Sequence, residues 1–195
     1  MFTGIIEVLG KIKAIEKEET NLVFTIEAPI AGDLKLNESV SHNGACLSVK
    51  PVSKKLYKVT AVHETLLRTN LKHLVVGNFV NLERSLKANG RIDGHFVLGH
   101  IDGIVKCISA KNLHGSHTFT FACNPKDRKY LVPKGSIALN GVSLTIADLT
   151  SHGFSIAIIP YTFEHTNFKN MNAGDEVNAE FDVLGKYVLE NLSRK

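Results

Sequence analysis

Asn43-Gly44-Ala45-Cys46-Leu47-Ser48-Val49 reappears as Asn140-Gly141-Val142-Ser143-Leu144-Thr145-Ile146, displaced by 97 residues. The same displacement carries Thr65 onto Thr162 and Thr69-Asn70-Leu71 onto Thr166-Asn167-Phe168. It also carries Gly77 onto Gly174, Val80-Asn81 onto Val177-Asn178, and Glu83 onto Glu180. One offset without an insertion over this span makes the chain one module written twice. Near the start the register slips by two residues, so that Gly4, Ile6, Glu7 and Lys11 face Gly99, Ile101, Asp102 and Lys106. The second copy therefore begins close to Val97. Residues 88–94 are rich in turn formers and make the natural junction, giving expected units of 1–96 and 97–195.

Each copy is built of short β-branched segments punctuated by turn residues. Leu22-Val23-Phe24-Thr25-Ile26, Thr118-Phe119-Thr120-Phe121, Ser143-Leu144-Thr145-Ile146 and Phe154-Ser155-Ile156-Ala157-Ile158-Ile159 read as strands. Strands this short, repeating about every ten residues, point to a closed barrel or a sandwich. Each copy also carries one short helix candidate, 64–71 and 163–168. The tail, 185–195, places Val188, Leu189 and Leu192 at helical spacing. So short a helix is marginal alone and needs a docking or oligomer-forming role. The expected class is all-β with short helices: two tandem β-barrels and a C-terminal helix.

Composition narrows the function classes. The 195 residues are 44% hydrophobic and 22% charged, ordinary for a globular protein. No apolar run approaches the roughly 20 residues that span a bilayer, and Met1-Phe2-Thr3-Gly4 lacks the features of a signal peptide. The expectation is a cytoplasmic protein without a membrane partner. Three cysteines, Cys46, Cys107 and Cys123, form no Cys-x-x-Cys pair, against a disulfide framework or zinc ribbon. The net charge of +4 is dispersed, aromatics are 7% and tryptophan is absent, against an OB-like nucleic-acid module with stacking platforms in a basic groove. His95 with His100, or His114 with His117, lacks a third ligand at a recognisable spacing, so no metal site is expected. No P-loop or dinucleotide fingerprint supports a nucleotide cofactor.

Chemistry should lie where the copies diverge. Cys46 is matched by Ser143, His42 by Leu139, and His100 by Ile5. Each position has a plain reading: a strand cysteine is usually a small buried hydrophobe, and a histidine beside glycine is often a turn residue. Gly94 and Gly99 fit either backbone approaching a ligand or a tight barrel corner. Asn-Gly supplies a hairpin turn, and the strand that follows sends alternate residues to one face. Cys46 shares a face with Ser48, and Ser143 with Thr145. Two small polar side chains beside strand backbone suit a flat heterocycle carrying amide-like groups. The residues alone thus describe two similar sites for a polar planar ligand.

With Met1-Phe2-Thr3-Gly4-Ile5, the paired Asn-Gly segments, Gly94-His95 and Gly99-His100-Ile101-Asp102-Gly103, the chain resembles the riboflavin synthase family over essentially its whole length. This resemblance implies six-stranded Greek-key barrels assembled as a homotrimer. Each barrel would bind one 6,7-dimethyl-8-ribityllumazine, with no cofactor. Transfer of a four-carbon unit between two such molecules would give riboflavin and 5-amino-6-ribitylaminouracil, the last step of riboflavin biosynthesis. A non-catalytic lumazine- or flavin-binding antenna protein is the alternative. Association with a lumazine synthase shell is left open.

By the same resemblance, Phe2 and Thr3 lie at the catalytic interface. Gly4, Ile5, Ile6, Cys46, Leu47, Ser48, Thr60, Ala61, Val62, His63, Glu64 and Thr65 line the first pocket. Lys134, Ser143, Leu144, Thr145, Ile159, Pro160, Tyr161 and Thr162 line the second. His100, flanked by Gly99 and Ile101, is the expected proton-transfer residue, imidazole being the side chain suited to that role near neutrality. Ser39 and Cys46 would meet the acceptor ring, Cys46 by packing rather than by a covalent bond. Asp182 would reach across the subunit interface. The chain departs from the family at Ala45, where some members carry a second cysteine. It also departs at Asn140, where many have aspartate; asparagine keeps the turn but removes a charge.

Overall fold

The computed structural model describes residues 1–113 and 115–194; His114, one of the histidines weighed as a ligand, lies outside them. The first barrel consists of β1 (Val8–Glu18), β2 (Asn21–Glu27), β3 (Ser39–His42), β4 (Ala45–Pro51), β5 (Leu56–Ala61) and β6 (Phe79–Arg84). The second consists of β7 (Gly103–Asn112), β8 (His117–Ala122), β9 (Ser136–Leu139), β10 (Val142–Leu149), β11 (Gly153–Ile158) and β12 (Glu176–Phe181). Both close as antiparallel barrels with the same Greek-key order, β1-β2-β5-β4-β3-β6 and its counterpart β7-β8-β11-β10-β9-β12. Even the bulges recur: β1 shifts register between Ile12 and Ala14, and β7 between Cys107 and Ser109.

Strand alternation fills the two interiors. Phe24, Ile26, Val40, Tyr57, Val59, Val80 and Leu82 pack the first barrel, and the second is more aromatic, with Phe119, Phe121, Phe154 and Phe168. The expected helices form, with different limits. α1 (His63–Arg68) and α2 (Pro160–His165) each stop at a threonine, and a separate 3-10 turn follows, Asn70–His73 or Asn167–Asn170. The threonine explains the break. Thr69 and Thr166 adopt extended backbone, donate Oγ1 to the Thr65 and Thr162 carbonyls, and accept from Leu71 N and Phe168 N. One β-branched hydroxyl thus ends one helix and caps the next turn. α3 (Val183–Ser193) forms the expected terminal helix, with Asp182 as its N-cap.

The barrels meet through their repeated asparagines. Asn43 and Asn140 sit in the left-handed region at φ 46° and 45°, followed by Gly44 and Gly141 at 85° and 78°, the type I′ turn that Asn-Gly favours. The two turns lie against each other: a Cβ on Gly44 would be 2.9 Å from Gly141 N, and one on Gly141 2.7 Å from Gly44 N. Around this contact, the side chains of Asn43, Asn70, Asn81, Asn140, Asn167 and Asn178 interlock. Asn178 Oδ1 accepts from Asn70 N (2.6 Å) and Asn178 Nδ2 donates to Asn43 O (2.7 Å). The counterpart Asn81 Oδ1 accepts from Asn167 N (2.8 Å) and Asn81 Nδ2 donates to Asn140 O (2.9 Å). Asn70 Nδ2 reaches Asn140 Oδ1, and Asn167 Nδ2 reaches Asn43 Oδ1. Asn81 and Asn178 are completely buried. Stranding a buried backbone group costs about 1–3 kcal/mol, and Asn178→Ala strands two. Urea unfolding of Asn178→Ala is therefore expected to show a loss of about 2–4 kcal/mol.

Candidate active site

The segments that precede the two barrels cross over. Phe2 and Val97 form an antiparallel bridge in the seam, with Phe2 N donating to Val97 O (2.6 Å) and Val97 N to Phe2 O (3.1 Å). Each segment then runs along the other barrel's Asn-Gly strand. Ser143 N donates to Gly4 O (2.8 Å), and Cys46 N donates to Gly99 O (3.0 Å). Ile6 packs against the second core and Ile101 against the first. The placement of Gly4 and Ile6 at the first pocket is thus corrected: both meet the second barrel, while Ile5 lines a hollow with Ser39 and Arg84 of the first. Gly99, His100 and Ile101 take the place at the first barrel, because the bridge threads both segments antiparallel through one seam.

On the first barrel two adjoining hollows share Cys46 and Thr65. One, of about 470 Å3, is also lined by Ser48, Lys50, Lys58, Thr60 and Val62, with Glu18 at its edge. The other, of about 250 Å3, adds Glu64, Arg68, Gly99, His100 and Ile101. Cys46 is half-buried and His100 exposed. Alternation turns the side chains of Leu47 and Ala61 into the first core and that of Leu144 into the second, although Leu47 still borders the larger hollow. Phe2 is wholly buried with Val97 and Ala138, and Cys46 packs against that cluster. A Cβ on Gly99 would be 2.9 Å from the Phe2 ring and 2.5 Å from Cys46 Cβ, so Phe2 forms the floor beneath Gly99. Ser39 pairs with Ser48 across β3 and β4 but lines a different hollow, with Thr3, Ile5 and Arg84. His63 opens α1 on the surface.

On the second barrel, Ser143 and Thr145 share the outer face of β10, and Ile159 and Tyr161 are exposed beside Thr162. Pro160 begins α2. Lys134 is exposed at φ 64°, the counterpart of Asn37 at φ 66°, so its backbone shapes the turn before β9. The displacement that matches Cys46 with Ser143 puts Ala157 at the position of Thr60, and Ala147 and Ser155 at those of Lys50 and Lys58. The second face therefore lacks the two lysines and a hydroxyl that the first presents.

From the sequence, His95 stands only as part of a motif and as a metal ligand weighed with His100 and set aside. In the structure it is buried and shares a 2.7 Å hydrogen bond with Ser143 Oγ through Nδ1. Burial lowers the His95 pKa, and the charge of Asp182 opposes that shift. Asp182 is thus within electrostatic reach of His95 while its Oδ1 accepts from Leu184 N. Gly94 has no room for a side chain, since a Cβ would run into the Thr3 carbonyl oxygen. No sequence signal marked the His95–Ser143 pair, because 48 residues separate its members. Among the described residues, no three His, Cys, Asp or Glu side chains are grouped to hold a metal ion. No helix among them is long and apolar enough to cross a membrane.

The lumazine binding domain family matches this chain twice, over residues 3–85 and 98–182. The riboflavin synthases of Actinobacillus pleuropneumoniae and Bacillus subtilis are each 40% identical, aligned over 100% of this chain and 91% of theirs. The chain belongs to the riboflavin synthase family. Its fold is also that of LumP solved with 6,7-dimethyl-8-(1′-D-ribityl)lumazine (TM-score 0.85, 23% identity). LumP solved with riboflavin gives a TM-score of 0.86 at 24% identity, and both alignments cover 93% of this chain and 99% of LumP.

Of the three positions where the copies diverge, His42 is in the core. Its Nδ1–H donates to Val40 O and its Nε2 accepts from Tyr57 Oη, both at 2.9 Å, so the ring is held neutral. Burial lowers its pKa to about 4 and raises that of Tyr57. Because the folded pKa lies below the unfolded value, the unfolded chain binds the extra proton. Stability from this site is full above pH 6.5 and is lost as pH falls towards about 4. The loss is on the order of 3 kcal/mol. His42→Leu combined with Tyr57→Phe is expected to flatten that component of the pH dependence of urea unfolding between pH 7 and 4.

Proposed function

We propose that this chain catalyses the riboflavin synthase reaction. Two molecules of 6,7-dimethyl-8-ribityllumazine exchange a four-carbon unit, giving riboflavin and 5-amino-6-ribitylaminouracil. The observation that carries this reading is the pair of matched but unequal barrel faces, each completed by the other copy's leading segment, in a family of this activity. Two similar faces suit two identical substrates. Their differences, Cys46 against Ser143 and His100 against Ile5, suit a donor and an acceptor with different fates.

Approximation supplies most of the catalysis. Holding two rings in contact is worth about 7–11 kcal/mol of barrier. The substrate's own ring stabilises the carbanion formed at its 7-methyl group, leaving the protein to orient the rings and move protons. His100, exposed on the hollow that contains Cys46, moves a proton at the first barrel, and Cys46 packs against the ring. His95 and Ser143 act as the corresponding polar pair at the second barrel. Thr3, Ser39 and Asp182 contribute where the first barrel of one subunit faces the second barrel of its neighbour. The enzyme works in the cytoplasm as a homotrimer.

The terminal helix supports the assembly. Leu184, Tyr187, Val188 and Leu192 are 57–68% exposed on α3, an apolar face that the chain's own barrels leave uncovered. The second reading, a chromophore binder that does not turn its ligand over, is favoured by the LumP fold alone.

Purified protein incubated with 6,7-dimethyl-8-ribityllumazine separates the readings. Formation of riboflavin, followed by its absorbance, is the expected result, and tight binding without product establishes the binder. His100→Ala is expected to lose about a hundredfold or more in turnover with ligand affinity retained. Truncation before Gly185 is expected to convert trimers to smaller species in sedimentation velocity.

A further inference from the structure

Each barrel ends in a buried glutamate that the reaction as described above does not use. Glu83, 5% exposed near the end of β6, and Glu180, 2% exposed near the end of β12, are counterparts in the repeat. Neither is paired by a hydrogen bond with a cation among the described residues. Glu83 Oε1 accepts from Thr3 N (2.7 Å) and Thr3 Oγ1 (2.9 Å), and its Oε2 accepts from Gly4 N (3.0 Å). Glu180 Oε1 accepts from Leu98 N (2.6 Å), and its Oε2 from Gly99 N (2.9 Å) and His100 N (3.1 Å). Three donors converge on each carboxylate, a geometry that charge-assisted bonds favour.

The return contacts are reciprocal. Glu7 Oε1 accepts from Arg84 N (2.7 Å) and Asp102 Oδ2 from Phe181 N (2.8 Å), so each leading segment and each last strand hold one another. Lys186 Nζ on α3 reaches Asp102 Oδ1 (2.7 Å), joining the terminal helix to the segment that bears His100. The peptides gripped by the carboxylates are the ones whose carbonyls face the opposite barrel: Gly4 O takes Ser143 N, and Gly99 O takes Cys46 N. Gly4 and Gly99 adopt φ of 79° and 81°, so the chain turns at the point where it is gripped.

Resting on the proposed reaction, we propose that Glu180 is the positioning residue for His100, and Glu83 its counterpart for Thr3. Each carboxylate acts as a backbone clamp that seats a segment of one copy on the ring-binding face of the other. An ionised carboxylate offers lone pairs to all three donors. A glutamine of the same shape turns an NH2 group towards N–H donors and releases part of the segment. Burial pushes both carboxyls above their ordinary value, and the converging N–H groups oppose this, so the clamp depends on those bonds to stay ionised.

The test uses the full chain as wild type, Glu180→Gln, Glu180→Asp and Glu83→Gln, with hydrogen–deuterium exchange and steady-state kinetics on 6,7-dimethyl-8-ribityllumazine. Glu180→Gln is expected to speed exchange at residues 98–100 at least about tenfold, without change along β12. It is expected to lower kcat about ten- to a hundredfold, as misplacement of a catalytic group does, while KM moves less than about threefold. Glu180→Asp, which keeps the charge, should recover part of both, and Glu83→Gln should move exchange at residues 3 and 4 instead. Unchanged exchange at 98–100 overturns the clamp. So does loss of protection throughout the second barrel with kcat and KM changing together, which marks a merely structural glutamate. If the wild type makes no riboflavin, the proposed reaction fails, and the exchange results alone decide whether the clamp exists.

Discussion

The arrangement depends on interlocking six asparagine side chains between the two barrels, five of them buried and Asn167 half-buried. A primary amide carries both donors and an acceptor, so copies of it can interlock across an approximate two-fold axis without net charge. Asn43, Asn81 and Asn167 form one half of the network, and Asn140, Asn178 and Asn70 the other. Burying such groups is tolerable only when they are paired. The symmetry is imperfect at one atom: among the described residues Asn70 Oδ1 is the buried side-chain acceptor left unpaired, whereas its counterpart Asn167 Oδ1 accepts from Asn81 Nδ2. A slide of one barrel against the other would strand several such groups at once. The network therefore sets a single relative orientation.

That orientation makes the exchange of leading segments feasible. With the Asn-Gly turns in contact, Phe2 and Val97 come together in the seam, residue 4 meets the strand that begins at Val142, and residue 99 meets the one that begins at Ala45. Neither the face that bears Cys46 nor the one that bears Ser143 is complete within its own repeat. These faces and the barrel interface thus share the same short strands, and small residues at Gly44, Gly141, Gly94 and Gly99 let the backbones approach. Within this symmetrical frame the chemistry is asymmetric. His95 reaches Ser143 directly, while His100 stands on the hollow beside Cys46.

Much of this was legible before the structure. The repeat announced two equal barrels, period-two alternation put Cys46 with Ser48 and Ser143 with Thr145 on shared faces, and the turn chemistry of Asn-Gly located both hairpins. The conserved offset also named Asn70 with Asn167 and Asn81 with Asn178, although nothing in one dimension said that they face each other. Other readings went astray for definite reasons. His42 looked like a point of chemical divergence, but a strand histidine on the inward face becomes a neutral core residue bonded to Tyr57. The helices were drawn without the threonine breaks, since the hydroxyl's bond to the i−4 carbonyl is invisible to periodicity.

The sequence by itself determined the module, its duplication, the shared faces of the Asn-Gly strands and the polar residues available to a planar ligand. These follow from local properties: side-chain periodicity, β-branching and the φ values that Asn and Gly tolerate. The tertiary structure alone decided which segment serves which barrel, which asparagine meets which, and that Glu83 and Glu180 grip backbone rather than a cation. Those partners lie about 80 or more residues apart along the chain in nearly every case. Their choice is made by the orientation of two packed bodies, and no local preference encodes it.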